Sequence, residues 1–323
     1  TEDNEGLEVF FRLINLYFTR PKFTVEGFKA VVNRTELNLN KKNVDHETKF
    51  EEYFKRFNTQ SLPELLPLSA ADLKNIDLVK SKQLNTEAFG NPREFVCVVV
   101  GSFDVEKIKP AILNYLASIP NTGKNFSIKT VKQNIFPNGI SQTSVPQHRR
   151  TECLTRITFP LKVSLANNQI SQLEIACQVI EYHFKKNFID QMQTTHGFDV
   201  AYEFPLYPTL QQPWITLQFI SEPELCQNLI KIVLEEFKQF QSKGPSEEEV
   251  KAAKAQQISS DDYWENDNSY WVMVLSNYYL WDFSPMNIIN TKKNIENLNH
   301  KNIVEIIKTY FSLENYTIIS SKT

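Results

Sequence analysis

Five histidines, at positions 46, 148, 183, 196 and 300, and four cysteines, Cys97, Cys153, Cys177 and Cys226, are the residues from which metal or nucleophile chemistry would be built. The closest two histidines are thirteen apart, so neither His-Glu-x-x-His nor its inverted form occurs and no helical turn carries a zinc-binding pair. The cysteines show no C-x-x-C spacing, and Cys97 and Cys177 sit in apolar runs; all four read as buried thiols rather than a metal clip. Eight scattered glycines build no phosphate-cradling loop. Thirty-five Lys and Arg against 38 Asp and Glu leave a net charge of -3, which gives no global field for nucleic acid or an anionic membrane. The aromatic cluster Tyr263, Trp264, Tyr270, Trp271, Tyr278, Tyr279 and Trp281 has no interleaved Lys or Arg, so it reads as packing between helices or against a further part of the parent protein, and not as a platform for stacked bases.

The elements that would position any site follow from periodicity. With 323 residues, 41% of them hydrophobic, the chain has room for two domains, and no apolar run reaches the 18 residues of a membrane span. Apolar residues at three- and four-residue steps predict helices over 7–18, 24–39, 70–88 and 104–118, with a β-branched strand at 94–101. Residues 129–150, holding Pro137, Gly139 and Pro146, read as a linker between a first lobe, 1–128, and a second lobe, 151–323. The second lobe opens with a strand at 151–163. A long helix follows, marked by Ile170, Leu173, Cys177, Ile180, Phe184, Phe188 and Met192, and then strands 198–205 and 214–221 form a hairpin. Capping boxes at Ser221/Glu224 and Ser246/Glu249 start two more helices, and the chain closes with a helix at 299–311 and a strand at 315–320. Helix, short linker and strand at 71–101 are echoed at 299–320, which suggests two related lobes. The first lobe has one clear strand for about four helices, so with its cut-looking start, TEDNEG, it is expected to lack its leading strands.

The segments LEVFFRLINLYFTRPKFTVEGFKAV, LNTEAFGNPREFVCVVVGSFDVEKIKPAILNYLASIP and QPWITLQFISEPE, followed by GPSEEEVKAAKAQ and DNSYWVMVL, resemble in order and spacing the insulinase (pitrilysin) family of zinc metallopeptidases. They are most similar to the C-terminal, non-catalytic half of its PqqL-type bacterial members. The resemblance implies an α+β fold of two related lobes, each a mostly antiparallel sheet packed against helices. It also implies a parent enzyme whose zinc lies in its N-terminal half, with no cofactor in this chain. The expected partners are that catalytic half and a peptide substrate, with no nucleic acid and no membrane span; pairing with a second copy is left open. The compartment is likewise open between bacterial periplasm and cytoplasm. Glu36 lies on a helix like the one carrying a catalytic half's third zinc ligand, but without a histidine pair it reads as an exposed glutamate.

In the family's non-catalytic half, an Arg and a Tyr ahead of a strand donate hydrogen bonds to the substrate carbonyl. Here the Arg position holds Asp190 and the Tyr position His196. An ionised Asp cannot donate, so direct help to an oxyanion is not expected; His196 either donates, pairs with Asp190 or is a solvated residue closing a helix. The resemblance then implies an inactive half that encloses extended peptides in a clamshell chamber. The strand after His196 is the candidate edge, with Phe198, Tyr202 and Tyr207 lining the adjoining wall or packing as core. The alternative is a catalytically inactive scaffold descended from such peptidases.

Overall fold

The computed structural model describes residues 4–42, 46–121, 135–146, 152–161, 167–192, 196–203, 212–280 and 290–322. They fall into two compact units, 1–44 with 68–129 and 267–279, and 45–67 with 130–266 and 280–323.

The larger unit is an α+β layer structure around one five-stranded sheet. Its strands are β1 (Ile140–Pro146), β2 (Cys153–Pro160), β3 (His196–Glu203), β4 (Trp214–Ser221) and β5 (Tyr316–Lys322), in the order β1-β5-β2-β4-β3. Only β1 with β5 is parallel; the other three pairings are antiparallel. Alternation sends Cys153, Ile157, Phe159, Ile215, Leu217, Phe219, Tyr316 and Ile318 to one face. That face is covered by α7 (Asn167–Met192), α8 (Cys226–Lys243), α9 (Glu247–Trp264), α11 (Thr291–Asn297) and α12 (His300–Tyr310). On α7, Leu173, Cys177, Ile180 and Phe184 recur at helical spacing and are all buried, as expected of that stretch of the stripe; the side chains of Ile170, Phe188 and Met192 lie outside the described residues. Phe159, Phe237 and Phe311 meet pairwise with ring centroids 5.5 Å apart at its centre.

Local chemistry sets the helix ends. Ser246 and Glu249 form the expected capping box on α9. The box expected at Ser221/Glu224 does not form. Ser221 is held in the β2–β4 ladder opposite Cys153, and α8 begins only at Cys226. Gly244 stops α8 at φ +77°, where a Cβ would lie 2.8 Å from Val304 Cγ2, so both backbone and space demand glycine.

The opposite face of the sheet is covered from an unexpected quarter, α3 (His46–Asn58), which belongs to this unit although its sequence lies within the expected first lobe. Phe50 and Phe54 pack on Val145 and Ile319, and the Arg156 guanidinium sits 5.3 and 4.8 Å from their ring centroids. Arg156 also donates to Gln218 Oε1 at 2.7 Å and pairs with Glu51 at 2.5 Å.

Three sequence expectations need correction here. The linker at 129–150 contains β1, hydrogen-bonded along β5; its sequence ISQTSVP is polar because it is the sheet's end strand, and that polarity hid it. Cys153 and Cys226 are not free thiols but a disulfide joining β2 to the start of α8, their Cα atoms 6.1 Å apart. Of the remaining two, Cys177 is buried and Cys97 exposed.

The smaller unit is helical among its described residues: α1 (Asn4–Thr19), α2 (Val25–Lys42), α4 (Ala70–Leu73), α5 (Leu78–Ala88), α6 (Val105–Ala111, continued as a π-helical turn to Leu116) and α10 (Asn268–Leu280), most of which lies here. The single helix expected over 70–88 is two, because Asp77 caps a fresh start by accepting from the Lys80 N–H. Asn15 donates to the Tyr115 carbonyl at 2.7 Å, and Phe18 meets Phe89 and Phe95 edge-on. The strand expected at 94–101 is absent: 95–100 has no regular secondary structure and is in no ladder, with Phe95 43% and Val96 57% exposed. A strand exists only through a neighbour, and no described strand is hydrogen-bonded to this segment. The apolar stripe of α1 is largely exposed too: Val9, Phe10, Leu13, Leu16 and Tyr17 face outward and only Phe11 is fully buried.

Candidate peptide-binding edge

The antiparallel pair β3–β4 leaves β3 at one end of the sheet, its far side unpaired by any described strand. Phe198, Val200 and Tyr202 point toward α7, whereas Gly197, Asp199, Ala201 and Glu203 are exposed on the other face. Alternate residues of an end strand turn their main-chain groups away from the sheet. Val200 is one of them, since its N–H is donated not to β4 but to Glu181 Oε2 on α7, at 3.1 Å. The other oxygen of Glu181 accepts from Lys185 Nζ at 2.6 Å, and Lys185 also lies 3.8 Å from Asp199. Seven residues before Glu181, two turns along α7, Glu174 accepts a hydrogen bond from the Tyr202 hydroxyl. Two carboxylates of one helix face thus hold β3, one by its main chain and one by a side chain.

The second of these is half-buried, with Tyr202, Cys177 and Asp261 nearby. Burial pushes the Glu174 carboxyl up to about 7, the Tyr202 hydrogen bond opposes that rise, and the nearby Asp261 carboxylate adds to it. Burial likewise drives the Tyr202 phenol well above its ordinary value. A separate polar group ties α7 to α8 and α9. The His183 ring nitrogens lie 2.7 Å from Glu249 and 3.0 Å from Glu236. Burial works against the imidazolium, but the two carboxylates outweigh it and His183 is held above its usual value. Glu249 is lowered to about 2, because the hydrogen bonds from His183 and Ser246 exceed the cost of its burial.

The five residues singled out in the sequence fare differently. Phe198 is 4% exposed and stacked on Phe184, ring centroids 4.5 Å apart, so it is core and presents no wall to a peptide. Tyr202 turns its ring inward to Glu174. Asp190 lies near the end of α7 and His196 opens β3 rather than closing a helix; the side chains of both, and Tyr207 altogether, lie outside the described residues. Sequence reasoning missed the outward residues of β3, which the same two-residue alternation would have given, and Glu181 and Lys185, which only the packed structure brings to the strand. In the aromatic cluster, Tyr263, Trp264 and Tyr279 are 71%, 47% and 56% exposed, so of the two expected settings these three do not show packing between helices; Trp281 lies outside the described residues.

Nothing here fits a zinc ion. Among the described residues no three His, Cys, Asp or Glu side chains are grouped to hold a metal, and both nitrogens of His183 are occupied by carboxylates. Hollows of 240 and 310 Å³ are lined by residues of α9 with α12 and of α7 with α12, with no residue of β3. No described helix is long and apolar enough to cross a membrane.

A mixed sheet backed by helices, with no metal-binding group among the described residues, is the class of protein these observations define, and comparison gives it a family. Residues 86–257, more than half of the chain, match the Peptidase M16 inactive domain, and the chain belongs to that metallopeptidase family. It is 24% identical over 282 residues to a zinc protease PQQL-like protein of Arabidopsis thaliana, a match covering 82% of this chain and 29% of that one. The periplasmic protease PqqL of Escherichia coli has the same fold, with a TM-score of 0.80 at 15% identity over 98% of this chain and 35% of PqqL. A protease from Helicobacter pylori matches with a TM-score of 0.82 at 11% identity, covering 99% of this chain and 77% of the other. The chain therefore spans about a third of PqqL and less than a third of the plant relative.

Proposed function

We propose that this chain is the non-catalytic, substrate-enclosing half of a zinc-dependent metalloendopeptidase and that it takes extended peptides along the outer edge of β3. Membership of the inactive-domain group supports the non-catalytic role. The observation that carries the binding reading is the end position of β3, whose main chain at Val200 is turned away from its only neighbouring strand. A peptide laid there gains ladder hydrogen bonds without needing any particular side chain, which suits an enzyme acting on varied sequences. Gly197 and Ala201 leave the exposed face of the strand low, so bulky peptide side chains meet little obstruction. The zinc and its water-activating residues would belong to the other half of the parent, and closure of the two halves would exclude water around the bound peptide.

The test is hydrolysis of a quenched fluorescent peptide library by this chain, by its full-length parent, and by the parent with a zinc chelator. Cleavage by the parent alone, lost with chelator, is expected. No cleavage by a folded, zinc-loaded parent would sink the peptidase role, and chelator-sensitive cleavage by the chain itself would mean that it holds a metal site of its own. One observation favours the scaffold reading: Asp190 and His196 stand where the family's Arg and Tyr donors are expected, and an Asp offers an oxyanion repulsion instead of a hydrogen bond.

A further inference from the structure

The outward main chain of β3 is not left to water. A strand added beside β3 would offer a carbonyl to the Val200 N–H; in its place stands Glu181 Oε2, reaching from α7 to accept that same proton at 3.1 Å. The carboxylate is held in position by Lys185 at 2.6 Å, four residues further along the helix, and Lys185 reaches Asp199 on the strand itself. Three charged side chains therefore clasp one amide. They are only partly covered, with Glu181 25%, Lys185 41% and Asp199 62% exposed, so the clasp sits where an incoming chain would meet it and can rotate away without disturbing the core.

We propose that Glu181 is an edge latch: its carboxylate occupies the main-chain donor that a peptide must take, so that peptide addition to β3 proceeds by displacing Glu181. This rests on the reading of β3 as the peptide-binding edge and adds a residue that sets its threshold. The latch makes the edge selective. A segment that forms several ladder bonds repays the displacement, whereas a short or disordered one does not. An acceptor at the position of Glu181 matters to the latch and its charge does not, because a glutamine carbonyl accepts the same N–H.

The experiment compares the full chain with E181A and E181Q by two readouts. Hydrogen exchange at the Val200 amide reports the latch directly; binding of a fluorescein-labelled nonapeptide of alternating Thr and Val, followed by anisotropy, reports the edge. One competing hydrogen bond removed predicts that E181A speeds Val200 exchange and tightens the peptide by about five- to tenfold, while E181Q stays near wild type in both. Val200 exchange unchanged in E181A would overturn the latch. So would equal peptide affinity in all three proteins, which would leave the edge reading standing. If exchange is released in E181A and none of the three proteins binds the peptide, the edge reading itself fails and the gating role with it.

Discussion

Glu174 is a half-buried carboxylic acid set against the phenol of Tyr202, so its ionisation is coupled to how well α7 holds β3. Its carboxyl is raised from 4.5 to about 7 in the folded chain. Folding therefore favours the protonated form. The cost of the buried charge is absent below the unfolded value, grows as pH rises from 4.5 toward 7, and reaches about 3 kcal/mol above it. His183 acts in the same direction: its folded value is raised, so the stability it gives is complete below about 6.5 and is lost as pH climbs through the folded value. Glu249 acts oppositely, losing its contribution as pH falls from 4.5 toward 2. Thermal unfolding should accordingly show a melting temperature that declines from pH 5 to pH 8. Glu174→Gln, which keeps an acceptor for Tyr202, is expected to flatten most of that decline and to leave a smaller slope at the upper end from His183. An unaltered slope in Glu174→Gln would show that the acid is hydrated and not buried.

Among the elements, the disulfide from β2 to α8 ties the middle of the sheet to the helix layer across a sequence separation of 73 residues. Closing a loop of that size stabilises a fold by about 4 kcal/mol in the chain-entropy account. Reduction of the intact chain is expected to lower its denaturation midpoint without changing its helix content in native buffer. Titration of free thiols in denaturant should find two before reduction and four after. The elements differed in how plainly the sequence announced them. The Leu173 to Phe184 stretch of the α7 stripe, the capping box of α9 and the pairing of β3 with β4 were legible because each is built from short-range pattern. The disulfide was not, since Cys153 and Cys226 are brought together only by β2 pairing with β4 and the turn into α8. β1 was hidden by its polar composition. Residues 95–100 carried the opposite error, a strand composition without a partner strand. At the edge itself, the sequence placed the strand and left Phe198 and Tyr202 between a peptide wall and the core; both alternate inward, which is the core reading.

At the scale of the whole molecule, the echo read between 71–101 and 299–320 is not matched in pairing: α5 precedes a segment in no ladder, whereas α12 precedes β5, a strand with neighbours on both sides. The domain boundary was the least legible feature. Residues 45–67 lie within the first stretch of chain yet cover the sheet of the larger unit through Phe50, Phe54 and the Asn58–Thr317 hydrogen bond of 2.6 Å, and no local pattern announces so distant a contact. The sheet ends in two rims, and both are dressed. One is β1, written Ile-Ser-Gln-Thr-Ser-Val-Pro; the other is β3, whose Val200 amide is spoken for by Glu181. Bare rims recruit identical chains into stacks, so polar sequence and a covering carboxylate act as a brake on polymerisation. Concentrated solutions of E181A are expected to scatter light on standing under conditions in which wild type and E181Q stay clear. A single carboxylate would then settle both how readily a visitor docks and how long a purified sample keeps.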